Sequence, residues 1–190
     1  MDAAEKLFTT QGVRATTMEM IAGEAGYSRI AIYRQFPTRS DLVSAMVQRT
    51  TQRHMAAITE RIPAGASPLD MLVESLVIVA TELAQDPLIM TIDEQSPDGT
   101  VASFIANDPA LTHLVELTIG SMVAADDNPF RPGLHPHDLA QFFISTALAM
   151  LLGAIPGIDD PTVARSYIET FVLPAIVTTP PEPTRVFPGA

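Results

Sequence analysis

A chain of 190 residues with 11 Lys and Arg against 22 Asp and Glu carries a formal net charge of −11. Hydrophobic residues make up 47% and charged residues 17%, which excludes a disordered chain and suits one domain, or a small domain joined to a larger one. The absence of cysteine excludes disulfides, thiol catalysis and cysteine metal sites.

The sequence pI near 4.6 argues against a phosphate-bearing partner only if the charge is evenly spread. It is not. Residues 1–62 hold eight basic residues against six acidic ones, a balance of +2, and residues 63–190 hold three against sixteen, a balance of −13. Such asymmetry assigns different tasks to the two parts.

The start, Met1-Asp2-Ala3-Ala4-Glu5-Lys6-Leu7-Phe8, has neither the basic region nor the apolar run of a secretion signal. Ala3, Leu7 and Phe8 share one face of a first helix that should end at Gly12. Thr16 and Glu19 have the spacing of a capping box, which predicts a helix carrying Met20, Ile21 and Ala25 and ending at Gly26. Ser28 can cap a third helix that runs to Phe36 and is broken by Pro37. Thr38 and Asp41 form a second capping box, opening a long helix towards Ile62.

Pro63–Ser67 reads as a linker. Beyond it one device recurs, a cap-competent residue followed by proline: Ser67-Pro68, Asp86-Pro87, Asp108-Pro109 and Asp160-Pro161, with His135-Pro136 a weaker case. These predict helices near 68–85, 87–94, 101–107, 109–126, 136–154 and 161–177. The proline-rich tail 178–190 reads as extended or disordered. The apolar stretch Ala140–Ile158 is long enough to span a bilayer, but Gln141, Pro156 and flanks without Lys or Arg favour a helix buried in a bundle or dimer. The expectation is a soluble, cytoplasmic, all-α protein without a membrane span.

The helices Met18–Ala25 and Arg29–Phe36, joined by the tight Gly26-Tyr27-Ser28 turn, have helix-turn-helix spacing. Ala22 stands at the crossing, where a larger side chain would wedge the helices apart. Ile21 and Ile32 should meet below it, with Phe8 and Phe36 completing a small three-helix core. The second helix of such a unit lies in the DNA major groove, and Ser28, Arg29, Ala31, Tyr33 and Arg34 are of the types that contact base edges and phosphates. Each also has a plainer reading: Arg29 and Arg34 as a solvated face, Tyr33 as packing. Ile30 can meet a thymine methyl or be a half-exposed core edge.

Leu7-Phe8, Gly12, Thr16-Thr17, Ile21-Ala22, Ala25-Gly26-Tyr27-Ser28, Ile32-Tyr33-Arg34-Gln35-Phe36-Pro37-Thr38-Arg39 and Leu42, taken in this order, resemble the DNA-binding domain of the TetR family of transcriptional regulators. The resemblance covers about the first 50 residues and implies a three-helix helix-turn-helix domain at 1–46 and a helical ligand-binding and dimerisation domain at 47–177. It implies that Arg29, Ile30 and Ala31 face bases, that Tyr33 packs on the sugar-phosphate backbone, that Arg39 meets a phosphate, and that Thr17 and Gln35 contact the backbone. Two departures stand out: the first helix is a turn or more shorter than is usual, as if clipped, and Tyr27 replaces a small aliphatic residue.

For the larger part, Met71, Met90, Phe104, Met122, Phe142 and Met150 read individually as core and collectively as material for a pocket that would take an apolar effector. Leu148, Leu151, Leu152, Ile168, Phe171 and Val172, on two apolar helices, are the candidates for a two-fold four-helix interface. His135 and His137 do not share a helical face and are not read as metal ligands. Neither a nucleophile elbow nor a glycine-rich phosphate loop is present. The expectation is therefore a ligand-responsive, homodimeric regulator of a palindromic operator, most simply a repressor, without cofactor, metal or enzymatic activity. The alternative is a helical ligand-binding or interaction protein with little DNA binding.

Overall fold

The computed structural model describes residues 1–61, 65–97 and 100–187. They form an all-α protein, and among the described residues extended pairing is limited to an isolated antiparallel bridge between Phe130 and Val177. The helices are α1 (Asp2–Gln11), α2 (Met18–Glu24), α3 (Arg29–Gln35), α4 (Arg39–Arg61), α5 (Pro68–Ile78), α6 (Pro87–Gln95), α7 (Val101–Ala106), α8 (Pro109–Val123), α9 (Pro136–Leu151), α10 (Pro161–Tyr167) and α11 (Leu173–Ile176). The predicted end of the long helix at Ile62, and Pro63 and Ala64 of the predicted linker, lie outside the described residues.

The proline-marked starts are all used. Ser67 makes a capping box with Asp70, and the carboxylates of Asp86, Asp108 and Asp160 each accept two backbone N–H groups at the start of α6, α8 and α10. At α9 the His135 ring accepts from the His137 N–H. One cap differs from expectation. Thr17, not Thr16, caps α2 by accepting from the Met20 N–H, while the Thr16 side chain turns inward, 1% exposed, and donates to the Gly12 carbonyl at 2.9 Å.

Packing divides the chain into two compact units, residues 1–53 with 85–105 and residues 54–84 with 106–190. The first unit thus takes in more than residues 1–46: its buried side chains come from α1 (Ala4, Leu7, Phe8), α2 (Met18, Ile21, Ala22), α4 (Leu42, Val43, Met46, Val47) and also α6 (Leu88, Ile89, Ile92). Ile32 and Phe36, expected in a three-helix core, are only half-buried, because α4 and α6 supply the apolar material that α3 does not. Regrouped by unit, the charge changes as well. Residues 85–105 bring four acids, so the first unit has seven basic residues against nine acidic ones, a balance of −2.

The second unit is built on α5, α8, α9, α10 and α11, around a core that includes Val73, Val77, Ile119, Met122, Phe143, Met150, Ile168, Val172 and Ile176. No single helix among the described residues is long and apolar enough to cross a membrane. The stretch Ala140–Ile158 is the C-terminal three-quarters of α9 followed by a turn that begins at Leu152. Two segments expected as plain α-helix contain a wider π turn, Val79–Leu83 after α5 and Ile168–Val172 after α10. Pro174 accounts for the second: it has no N–H for the Thr170 carbonyl and its ring crowds that carbonyl, so the helix widens just before it. The tail is extended but held over its described residues 178–187, residues 188–190 lying outside them. The Thr184 N–H donates to Thr170 Oγ1 at 3.2 Å, Val186 is buried, and the Phe187 ring lies 6.3 Å from that of Tyr167.

The N–H groups of Val163 and Thr162 hold the Asp160 carboxyl below its ordinary value near 3.8. A lowered folded-state value means that this cap stabilises above the unfolded-state value and is lost as the pH falls through the folded one. Melting curves taken between about pH 6 and pH 3 should therefore fall more steeply for the wild type than for Asp160→Asn, which keeps a cap-competent oxygen that does not titrate.

Candidate nucleic-acid interface

Helix α3 follows α2 through the Gly26-Tyr27-Ser28 turn. Gly26 takes φ +69°, in the left-handed region that favours glycine, and the Tyr27 N–H closes the turn on the Ala22 carbonyl at 2.9 Å. Ser28 Oγ accepts from the Ala31 N–H at 3.2 Å, capping α3. None of the side chains of α3 is buried. Ile30 is 81% exposed, Ser28, Arg29, Tyr33, Arg34 and Gln35 are exposed, and Ala31 is half-buried. At that exposure Ile30 is not the half-exposed core edge of its plainer reading. Thr17, also exposed, stands at the start of α2.

The arginines of this surface differ in what already holds them. Arg29 pairs with Glu19 (Nε to Oε1 2.9 Å) and lies over the Tyr33 ring, 5.3 Å from its centroid, so one cation orders the tyrosine and is itself tethered to α2. Arg34 is exposed and has no hydrogen-bond or ion-pair partner among the described residues. Arg39 faces inward. Its guanidinium donates to the carbonyls of Val13 and Thr16 and lies 5.6 Å from the centre of the Phe8 ring. The donors that sequence reasoning reserved for a phosphate are spent on the α1–α2 turn. The remaining basic residues of the first unit are engaged as well: Lys6 with Glu24, Arg49 with Asp2, Arg53 with Glu5 and Asp86, and Arg14 with the Gln95 carbonyl.

The six pocket candidates are not brought together. Met122 and Met150 are buried in the second unit's core with Phe142 packed against it, Met71 is 41% exposed, and Met90 and Phe104 belong to the first unit. A shallow open cleft of about 360 Å³ in the second unit is lined by other, more polar residues, among them Asn107, Thr112, His113 and Glu116. Of the interface candidates, Leu152 and Phe171 are 55% and 53% exposed and Leu148 and Leu151 half-buried. Ile168 and Val172 are 0% and 4% exposed, so they are core rather than surface: four residues apart on one helical face, both pack into the second unit's interior. His137 reaches Glu116 at 3.5 Å, and among the described residues no group of three or more His, Asp or Glu is placed to hold a metal.

Sequence reasoning missed the clasp around Gly12–Thr16, to which Arg39 on α4 and Gln95 on α6 contribute. No local pattern marks Gln95, which lies 82 residues from its partner Val13. Arg39→Ala should lower the stability of the protein by roughly 2–4 kcal/mol, since two buried carbonyls lose charged donors. A thermal or denaturant melt without DNA checks this; an unchanged midpoint would return Arg39 to a surface role.

Residues 1–46 match the family model described as bacterial regulatory proteins, tetR family. An uncharacterised HTH-type transcriptional regulator of Mycobacterium bovis is 32% identical over 90 residues, covering 47% of this chain and 46% of the relative. The HTH-type transcriptional regulator TtgR of Pseudomonas putida is 34% identical over 96 residues, covering 50% and 45%. These matches span about half the length of the curated relatives. Over nearly the whole chain the fold is similar to that of NalD, the secondary repressor of the MexAB-OprM multidrug efflux pump in Pseudomonas aeruginosa (TM-score 0.57, 20% identity, 93% of this chain and 92% of that one). It is also similar to that of SmeT in its complex with triclosan (TM-score 0.57, 24% identity, 97% and 96%). The first 46 residues are thus similar to the tetR family of bacterial regulatory proteins, and the chain as a whole has a fold similar to that of these two solved structures.

Proposed function

We propose that this protein is a ligand-responsive transcriptional regulator that binds a palindromic DNA operator as a homodimer and releases it when a small apolar molecule binds. The observation that carries this reading is α3: a capped helix after a tight turn, with no buried side chain, that presents Arg29, Ile30, Ala31, Tyr33 and Arg34 together. Helices that serve a core bury a stripe of side chains, and this one buries none. Base reading falls to Arg29, Ile30 and Ala31, backbone contact to Thr17, Ser28, Tyr33, Gln35 and Arg34, and Arg39 supports the surface from below. A cytoplasmic location and the absence of enzymatic activity belong to the same reading.

Repression is supported by the role of NalD as a repressor, and a small apolar effector by the triclosan complex of SmeT. The second unit is compatible with such a ligand, since Met122, Met150, Ile119 and Phe143 give it a deformable apolar interior. Pairing through Leu148, Leu151, Leu152 and Phe171 would set two α3 helices about 34–36 Å apart, one turn of B-DNA. A coupling of about 1–3 kcal/mol between effector and DNA is enough to change operator occupancy several-fold or more.

Footprinting and a salt titration on the DNA flanking the gene test the reading. Specific binding should weaken steeply as salt rises. Arg34→Ala should flatten the log–log salt slope by about 1, whereas Arg29→Ala should reduce the preference for the footprinted sequence over random duplex by roughly 5- to 100-fold. A protein that protects no flanking DNA at low salt is not this regulator, and the helical interaction protein becomes the better description.

A further inference from the structure

Gly12 and Val13 are held by a residue far outside the tetR-family segment. The Val13 N–H donates to Gln95 Oε1 at 3.2 Å, and Arg14 Nε donates to the Gln95 backbone carbonyl at 3.1 Å, so the last residue of α6 clasps the α1–α2 turn through both its side chain and its main chain. Gly12 leaves room for this. It takes φ +84°, and a Cβ there would come within 2.4 Å of Gln95 Oε1. The other side of the same turn is closed by Arg39, and the turn ends at Thr17, the exposed cap of α2. Buried Val13 thus has its N–H satisfied from α6 and its carbonyl from α4, and α2 begins where those two bonds put it.

We infer that Gln95 is a positioning residue for DNA recognition: it fixes the start of α2, and through α2 the reading helix α3, so that tight operator binding requires α6 to stay clasped to the α1–α2 turn. This rests on the regulator reading above. Without the amide oxygen the Val13 N–H is left unpaired in a part-buried position, and the turn relaxes to find another acceptor. Thr17 and the Glu19 that orients Arg29 move with it, and a base-reading arginine tolerates little misplacement.

The test uses the full-length protein and the footprinted duplex. Gln95→Ala should weaken specific binding by about tenfold, the size expected when a partly buried hydrogen bond is lost from a preorganised site. Gln95→Glu, which still offers an acceptor to Val13, should stay within about threefold of wild type. Hydrogen exchange in the absence of DNA supplies the independent readout: the Val13 amide should be protected in wild type and Gln95→Glu and should lose protection in Gln95→Ala. If Gln95→Ala melts below the assay temperature, Gln95→Met, which keeps the bulk and loses the acceptor, should show the same tenfold loss. Gln95→Ala binding as tightly as wild type, or Gln95→Glu failing as badly as Gln95→Ala, overturns the role of Gln95 and leaves the regulator standing. Wild type that binds no flanking duplex, with the Val13 amide protected, overturns the regulator and the role of Gln95 with it.

Discussion

Val13 has both of its peptide groups bonded to side chains from distant helices, its N–H to Gln95 of α6 and its carbonyl to Arg39 of α4. Much of the first unit's geometry depends on this. A helix-turn-helix of two seven-residue helices has almost no stability of its own, since isolated helices of that length do not hold in water. The unit becomes rigid only because α1, α4 and α6 surround the turn that leads into it. The Arg39 guanidinium on the Phe8 ring and the inward Thr16 hydroxyl close that turn from within.

Electrostatics follow from the same packing. Cations in the first unit are tied to carboxylates or carbonyls, with Arg34 the exposed exception among the described residues, and the unit as a whole carries a balance of −2. Exposed pairs of this kind contribute little stability, typically below about 1 kcal/mol each, but they do decide how much positive field faces a polyanion. A surface built this way exerts little long-range attraction on any polyanion.

The second unit divides three residues that the sequence offered together as interface candidates. Ile168 and Val172 lie in the core, while Phe171, on the same segment before Pro174, remains outside. One helical segment supplies both the core and the exposed surface. The tail, which composition marked as extended or disordered, is extended and held through Phe187, because Thr184 and Phe187 meet Thr170 and Tyr167.

Local signals sufficed for what is decided within a turn of chain. Asp86, Asp108 and Asp160, each followed by proline, marked helix starts because a cap bonds amides only two and three residues away. The Gly26 turn and the cap at Ser28 marked the helix-turn-helix for the same reason. Tertiary structure decided the rest. Residues 85–105 joined the first unit, reversing the sign of its charge; Arg39 turned inward; and Gln95 became the clasp of a turn 82 residues earlier. No periodicity or motif encodes such a pairing, because a glutamine at a helix end has no local partner to announce it. Only the burial of Leu88, Ile89 and Ile92 brings α6 against α1, and with it Gln95 against Val13.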